Sequence, residues 1–408
     1  MTARDAGRVV VVGGGLAGYS AANTLRALGH QGSITVVDPE PALYDRPPLS
    51  KHLFDEAFEL DDLSFASEQA LAERSIETRL GRRATALDPE SLRVTLDDGS
   101  VLDADTVIIS TGARARSLEI PGGDLPGVHV LRTYADALAI RHAVVEGSRV
   151  AVVGAGLIGA ELASALCTAG ARVSLIDPVE VPLVAVVGAH MATHLHGMHE
   201  ARGITVRQGL TAAFERAGEA LEVVLVSGER IAADLVVVGV GIVPNIEIAQ
   251  SAGLDTDRGV LVDAELRTSV DGIYAAGDVA RRRDPDGTLH RPEEHWEAAQ
   301  LDGQVVAHAV LGLEAPPRGT SWFWSDRHGV HLEAAGRLSG PGELVVRDGG
   351  EHPTVFLVHQ GLLEGAASID DAMTVRAARR LIDQRVPVSI DALADPAVAL
   401  RSLLRPAR

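Results

Sequence analysis

The sequence predicts an α/β protein with two parallel-sheet units and an α+β region toward its C-terminal end. Three observations predict it. Four valines run from position 9 into Gly13, and a similar apolar run at 149–153 ends in Gly154. Each run leads into a glycine-spaced turn, an Ala- and Leu-rich stretch, and a further apolar run closed by Asp38 or Asp177. After Pro316 and Pro317 the composition changes, and Trp322 and Trp324 fall close together.

Each element has its own local reason. Residues 8–13 read as a buried strand, because a short β-branched run bounded by glycine suits a sheet covered on both faces. Residues 19–28 read as a helix stopped at Gly29, and 33–38 as the next strand, so 8–38 is one βαβ unit. A polar stretch follows, with a strand-turn-strand signal around Asp97, Asp98 and Gly99. Residues 105–110 form a strand that runs into Thr111 and Gly112. The second unit repeats the order: strand to Gly154, helix over 160–169 ended by Gly170, strand over 172–177. A strand at 233–240 leads to Gly241, Pro244 and Asn245, and another at 273–278 ends in Gly277 and Asp278. The expected domains are 1–115 with 242–316, then 116–241, then 317–408.

Composition narrows the function. The 408 residues carry a net charge of −19, which argues against nucleic acid, since a phosphate-binding surface needs clustered Lys and Arg. The single cysteine, Cys167, excludes an internal disulfide and a CxxC redox pair. No apolar run reaches the ~18 residues a membrane span needs. The first eight residues are polar and carry no secretory signal, so the expectation is a cytoplasmic protein.

Gly13-x-Gly15-x-x-Gly18 and Gly154-x-Gly156-x-x-Gly159 both match the dinucleotide fingerprint of a Rossmann unit. The first glycine permits the turn, the second admits a pyrophosphate, and the third lets helix pack on strand. Leu16 and Ala17, and Leu157 and Ile158, place their amides at the helix N-terminus, where free N–H groups and the dipole favour an anion. The acid for the ribose hydroxyls is Asp38 in the first unit, with Glu40 as the alternative, and Asp177 in the second. Two fingerprints suggest two dinucleotides, FAD and a nicotinamide cofactor, with a hydride passed between them. Asp177 repels a 2′-phosphate and residues 178–183 offer no Arg or Lys to hold one, so NADH is expected over NADPH.

The segment Tyr44-Asp45-Arg46-Pro47-Pro48-Leu49-Ser50-Lys51 closely resembles the flavin-binding stretch of the FAD-dependent NADH:ferredoxin reductases, the putidaredoxin, rubredoxin and biphenyl-dioxygenase type. Further matches follow in order: Thr111–Ala113, Leu131–Thr133, 156–161, Gly277–Val279, Glu294–Trp296 and 322–326. The resemblance implies a glutathione-reductase-like fold, an FAD domain interrupted by an NAD domain, and a C-terminal domain closing the flavin site. It implies that Arg46 and Lys51 lie at the flavin, with Lys51 paired to Glu161 near the reactive edge. It places Arg132 toward the flavin, Asp278 on the ribitol side and Trp296 beside the ring. Ala84, Thr111, Gly112, Gly241, Gly277, Glu294 and His295 complete the implied cofactor set. It also implies a [2Fe–2S] ferredoxin as electron acceptor, serving a haem-thiolate monooxygenase or a ring-hydroxylating dioxygenase. Ala298 stands where relatives often carry Asn, and Arg327 where they frequently carry Gln.

Other features have plainer readings. Cys167 is expected to be a buried structural thiol, which weighs against a disulfide reductase. No cysteine falls near Ser50, which weighs against a single-cysteine peroxidase. His190, His194, His196 and His199 are expected to form a solvated helix face, with no metal site. Arg281, Arg282 and Arg283 are the first candidates for docking an acidic ferredoxin; Arg376, Arg379 and Arg380 are the second. The alternatives to ferredoxin reduction are an NADH oxidase making hydrogen peroxide and a redox-switched flavoprotein binding module.

Overall fold

The computed structural model describes residues 4–56, 58–347, 349–350 and 352–404. The chain forms two compact units. One comprises Met1–Pro47, Ala57–Arg114 and Ile242–Arg318; the other Pro48–Glu56, Ala115–Gly241 and Gly319–Arg408.

The first unit is built on a five-stranded parallel sheet in the spatial order Ile273–Ala275, Thr106–Ile109, Val9–Val12, Ile34–Asp38, Ile76–Leu80. Every residue of Val9–Val12 and of Thr106–Ile109 is buried, as expected for strands covered on both faces. The predicted turn at Gly99 joins Arg93–Leu96 to Val101–Asp103 as an antiparallel pair. The first helix spans Leu16–Ala27, beginning three residues before the predicted start, directly after Gly15. The third fingerprint glycine therefore lies within the helix's first turn, where a side chain would strike the strand. The same correction applies to the second fingerprint, whose helix spans Leu157–Thr168 rather than 160–169.

The second unit repeats the parallel sheet in the order Thr205–Gln208, Arg172–Asp177, Arg149–Val153, Leu235–Val238, Val128–Val130. The C-terminal α+β part supplies a five-stranded antiparallel sheet in the order Trp322–Arg327, Val330–Gly336, Leu362–Ile369, Thr354–His359, Glu343–Arg347. The helix Ala189–Ala201 packs on that sheet through Met191 and Leu195, against Leu332, Leu357 and Ile369. No described helix is long and apolar enough to cross a membrane.

In the first unit the helix Leu16–Ala27 packs along Trp296–Val310, the longest described helix. Gly303 makes this approach possible. A Cβ there would lie 2.4 Å from the Ala17 carbonyl oxygen and 2.6 Å from Ser20 Cβ. A mid-helix glycine costs about 1 kcal/mol against alanine. Overpacking against fixed backbone costs about 1–3 kcal/mol, so the clash outweighs the gain. Gly303→Ala is expected to lower the urea midpoint by the equivalent of about 1 kcal/mol or more; an unchanged or raised midpoint contradicts this packing account.

Candidate active site

Two glycine turns lie at matching places in the two units, and their geometry separates packing from binding. Gly13 has φ +105° and Gly154 φ +104°, and a Cβ at either would strike a carbonyl, Ser110 O or Gly239 O. A Cβ on Gly18 would lie 2.0 Å from Gly13 O, and one on Gly159 1.9 Å from Gly154 O. These four glycines are required by the protein's own backbone. Gly15 and Gly156 are different, because a Cβ on either meets nothing within 4 Å. Each is the N-cap of its helix and makes no side-chain cap hydrogen bond. Open space thus faces uncapped amides at the N-terminus of a helix of 12 residues in both units, which fits a pyrophosphate twice. Leu16 and Leu157 are half-buried, Ala17 is buried, and Ile158 is exposed.

The acids at the strand ends act first on their own loops. Asp38 is buried; its Oδ2 accepts from Gly14 N at 2.5 Å and its Oδ1 from Glu40 N at 2.8 Å. Burial pushes the Asp38 carboxyl up, while the two amides and the nearby arginines hold it down. Asp177 repeats the pattern, accepting from Ala155 N at 2.8 Å and Val179 N at 2.9 Å. Both acids staple the glycine turn to the following loop. Glu40, two residues on and half-buried, receives the Tyr44 hydroxyl at 3.0 Å.

Elsewhere in the first unit, Trp296 begins the helix Trp296–Val310, and its indole N–H donates to Asp45 Oδ1 at 2.9 Å. The tryptophan is therefore tied to the Tyr44–Lys51 motif across 251 positions. His295 is the N-cap of that helix, its ring accepting from Ala298 N. Burial lowers the His295 pKa. Glu294 is exposed and Arg46 lies over the Tyr44 ring. Thr111 and Asn245 exchange hydrogen bonds of 2.7 and 2.9 Å, and Asn245 N donates to Gly112 O. Ala84 opens an edge strand and packs against the core of this unit. Gly277 N donates to Asp302 Oδ2, and Arg318 pairs with the other oxygen. Burial raises the Asp302 carboxyl and Arg318 opposes this. A small cleft beside Gly277 is lined by Asp278, Arg282, Arg291, Ala298 and Arg318. Asp302 and Arg318 were not expected from sequence; both lie outside every recognisable motif.

In the second unit, Lys51 and Glu161 meet. The ammonium lies 2.7 Å from Glu161 Oε2, with side-chain exposures of only 9% and 4%. Ser50 Oγ donates to the same oxygen at 2.6 Å, and Ser325 Oγ donates to Oε1 at 2.6 Å. Arg327, buried, donates from Nη2 to Ser325 Oγ at 2.8 Å. The Lys51 nitrogen lies 5.9 Å from the Trp324 ring, which stacks on Trp322. Ser325 and Arg327 are contributions that sequence reasoning missed, although Ser325 sits inside a matched motif. Arg132 follows the strand Val128–Val130, its amide held by Asp136 Oδ2, and Gly241, at φ +106°, has open space at its Cβ.

Comparison with known proteins decides the family. Residues 7–303 match the model of the pyridine nucleotide-disulphide oxidoreductases, and 322–404 match the reductase C-terminal domain. The chain belongs to the pyridine nucleotide-disulphide oxidoreductase family. Its members here include the benzene 1,2-dioxygenase system ferredoxin–NAD(+) reductase subunit of Pseudomonas putida, 35% identical over 98% of both chains. Rhodocoxin reductase of Rhodococcus erythropolis is 34% identical over 95% of this chain and 92% of that one. Among solved structures, the putidaredoxin reductase–putidaredoxin complex matches at TM-score 0.91 and 29% identity, over 98% of this chain and 99% of that one. The ferredoxin reductase for the CYP199A2 system of Rhodopseudomonas palustris matches at TM-score 0.91 and 31% identity, over 97% and 99%. This family member is an oxidoreductase that binds FAD and NAD(H), as the two open glycine cradles accommodate.

Three expectations are corrected. The arginine triplet does not form a free basic patch. Arg281 is buried and paired with Asp257, Arg282 pairs with Glu293, and Arg283 with Asp255. Cys167 is half-buried rather than buried, its Sγ 3.3 Å from Arg202 O. The histidines do not form one solvated face. His190 is exposed and His194 and His196 are half-buried, but His199 is buried and its Nδ1 meets Nε2 of buried His328 at 2.8 Å. Apolar neighbours of the helix Ala189–Ala201 draw that ring inward, because it packs on a sheet rather than facing water.

Burial, then the neighbouring His328, Arg327 and His196, lowers the His199 pKa to about 3. Burial, then Arg202 and Arg327, lowers that of His328 to about 4. Unfolded, both titrate near 6.5. Between these limits the unfolded chain binds more protons, so this pair contributes stability fully above pH ~6.5 and loses it as pH falls toward 4 and 3. His199→Gln with His328→Gln is expected to lose on the order of 1–2 kcal/mol less than the parent between pH 7 and 5, read from urea midpoints. Parallel losses in both proteins remove the pair from the acid sensitivity.

Proposed function

We propose that this oxidoreductase transfers electrons from NADH through FAD to a [2Fe–2S] ferredoxin that serves an oxygenase, either a haem-thiolate monooxygenase or a ring-hydroxylating dioxygenase. The observation that carries the reading is the buried Lys51–Glu161 pair, at the end of the Tyr44–Lys51 motif, in a chain without a paired cysteine. Relatives named for ferredoxin reduction are similar along nearly the whole chain. We place the protein in the cytoplasm.

When bound, FAD would supply the capacity to take a hydride's two electrons and to pass them on singly. The chain's residues bind, orient and answer charge. The uncapped amides after Gly15, with Leu16 and Ala17, hold the FAD pyrophosphate. Asp38, each of whose oxygens keeps a lone pair after accepting one amide, or the half-buried Glu40 takes the ribose hydroxyls. Arg46, Ala84, Thr111, Gly112, Arg132, Gly277, Asp278, Glu294, His295 and Trp296 complete the flavin set. Gly154, Gly156, Leu157, Ile158, Gly159, Asp177 and Gly241 serve NADH. Lys51 supplies a cation for the charge that arrives with the electrons, and Glu161 keeps that ammonium oriented. No side chain acts as a nucleophile. For the acidic partner we retain Arg376 and Arg380, both exposed, with Arg379 half-buried and donating to Thr320 O.

Purified yellow protein, NADH and cytochrome c test the reading, with and without a [2Fe–2S] ferredoxin from the same source and with NADPH in parallel. A many-fold rise on adding ferredoxin, with NADPH poor, supports it. NADH consumption independent of ferredoxin, with peroxide accumulating, makes the protein an oxidase instead. NADH-bleached flavin without turnover favours a redox-switched binding module.

Lys51→Ala is expected to slow flavin bleaching by NADH at least tenfold in stopped-flow measurements, equivalent to about 1.4 kcal/mol of barrier. Bleaching at the parent rate would remove the role given to Lys51.

A further inference from the structure

The ion pair between Lys51 and Glu161 is balanced in charge by itself, and a second cation stands behind it. Arg327 is 3% exposed, and no carboxylate of the described residues lies within 4 Å of its guanidinium. Its one described hydrogen bond goes to the Ser325 hydroxyl, and its buried Nε has no partner. Burial works against the charge of Arg327, and Glu161 and Asp326 support it. An arginine stays protonated in proteins, so the cation persists.

Hydrogen-bond direction makes the link specific. A guanidinium can only donate. Ser325 Oγ must therefore accept from Arg327, and its single proton goes to Glu161 Oε1. The other carboxylate oxygen takes Lys51 and Ser50. Both oxygens of Glu161 thus face donors alone. Lys51 and Arg327 are two cations around the one anion Glu161, while Asp326 and the buried Glu333 on the same strand pair add negative charge nearby.

We infer that Arg327 is a positioning residue that raises the reduction potential of the bound flavin, by fixing Glu161 through Ser325 and by adding a buried positive charge behind the Lys51–Glu161 pair. The inference rests on the proposed placement of Lys51 at the flavin. In a poorly screened interior a unit charge acts over several ångströms, whereas exposed charges are damped by water and salt.

The test is the two-electron midpoint potential of the FAD-bound protein, measured by dye equilibration from pH 6 to 9. R327Q keeps a donor for Ser325 but removes the charge. It is expected to lower the oxidised-to-reduced equilibrium constant tenfold or more, about 30 mV more negative. R327K restores the charge and most of the potential. E161Q raises the potential, and E161Q/R327Q, which removes one charge of each sign, returns it toward the parent value. If R327Q does not accumulate folded, E161Q against E161Q/R327Q makes the same comparison without a lost counter-charge. Equal potentials in either comparison overturn the inference, as does an R327K value matching R327Q. A protein that never retains FAD defeats the proposed function instead, and the two failures are told apart by the yellow colour alone.

Discussion

A carboxylate taken out of water must have its lone pairs answered, and at Glu161 three separate segments meet to satisfy that requirement. Lys51 and Ser50 come from a short helix beyond the twin prolines, and Glu161 from the helix after the second glycine turn. Ser325 and Arg327 come from the first strand of the C-terminal sheet. Removing one partner of a buried ion pair costs about 3–5 kcal/mol, so each segment is constrained by the others. The helix Pro48–Lys51, the Rossmann helix and the antiparallel sheet of this unit share one electrostatic knot. Packing of Met191 and Leu195 on that sheet gives the knot an apolar backing.

What could be read from the sequence was whatever is decided within about thirty residues. The fingerprint glycines, the strand runs into Gly13 and Gly154, and the acids at 38 and 177 are local patterns, and the structure places them in two parallel-sheet units. Contacts across long separations were legible only where a motif carried them. Lys51 and Glu161 came through resemblance. Ser325, 164 positions from Glu161, lay inside a matched motif that gave it no role, and the Asp302–Arg318 pair beside Gly277 lay in no motif at all. The arginine triplet shows the opposite failure. Three consecutive cations read as a patch, yet a strand sends neighbouring side chains to opposite faces, and acids at 255, 257 and 293 close each one. His199 failed for a different reason, since it shares a helix face with Met191 and Leu195, which pack on the sheet.

The stapling role of the strand-end acids bears on how this chain could be re-engineered. Asp177 is commonly the first residue one would exchange to admit a phosphorylated ribose, but here its oxygens secure the amides of Ala155 and Val179. With NADH on the second unit, as proposed, changing Asp177 alters recognition and loop shape at once. Val179, 56% exposed and bonded only through its backbone, occupies the place that Glu40 holds in the first unit. On the proposed placement of NADH, a cofactor-switching design that begins at Val179 keeps the turn intact and treats coenzyme choice as a property of a surface position, separable from the scaffold.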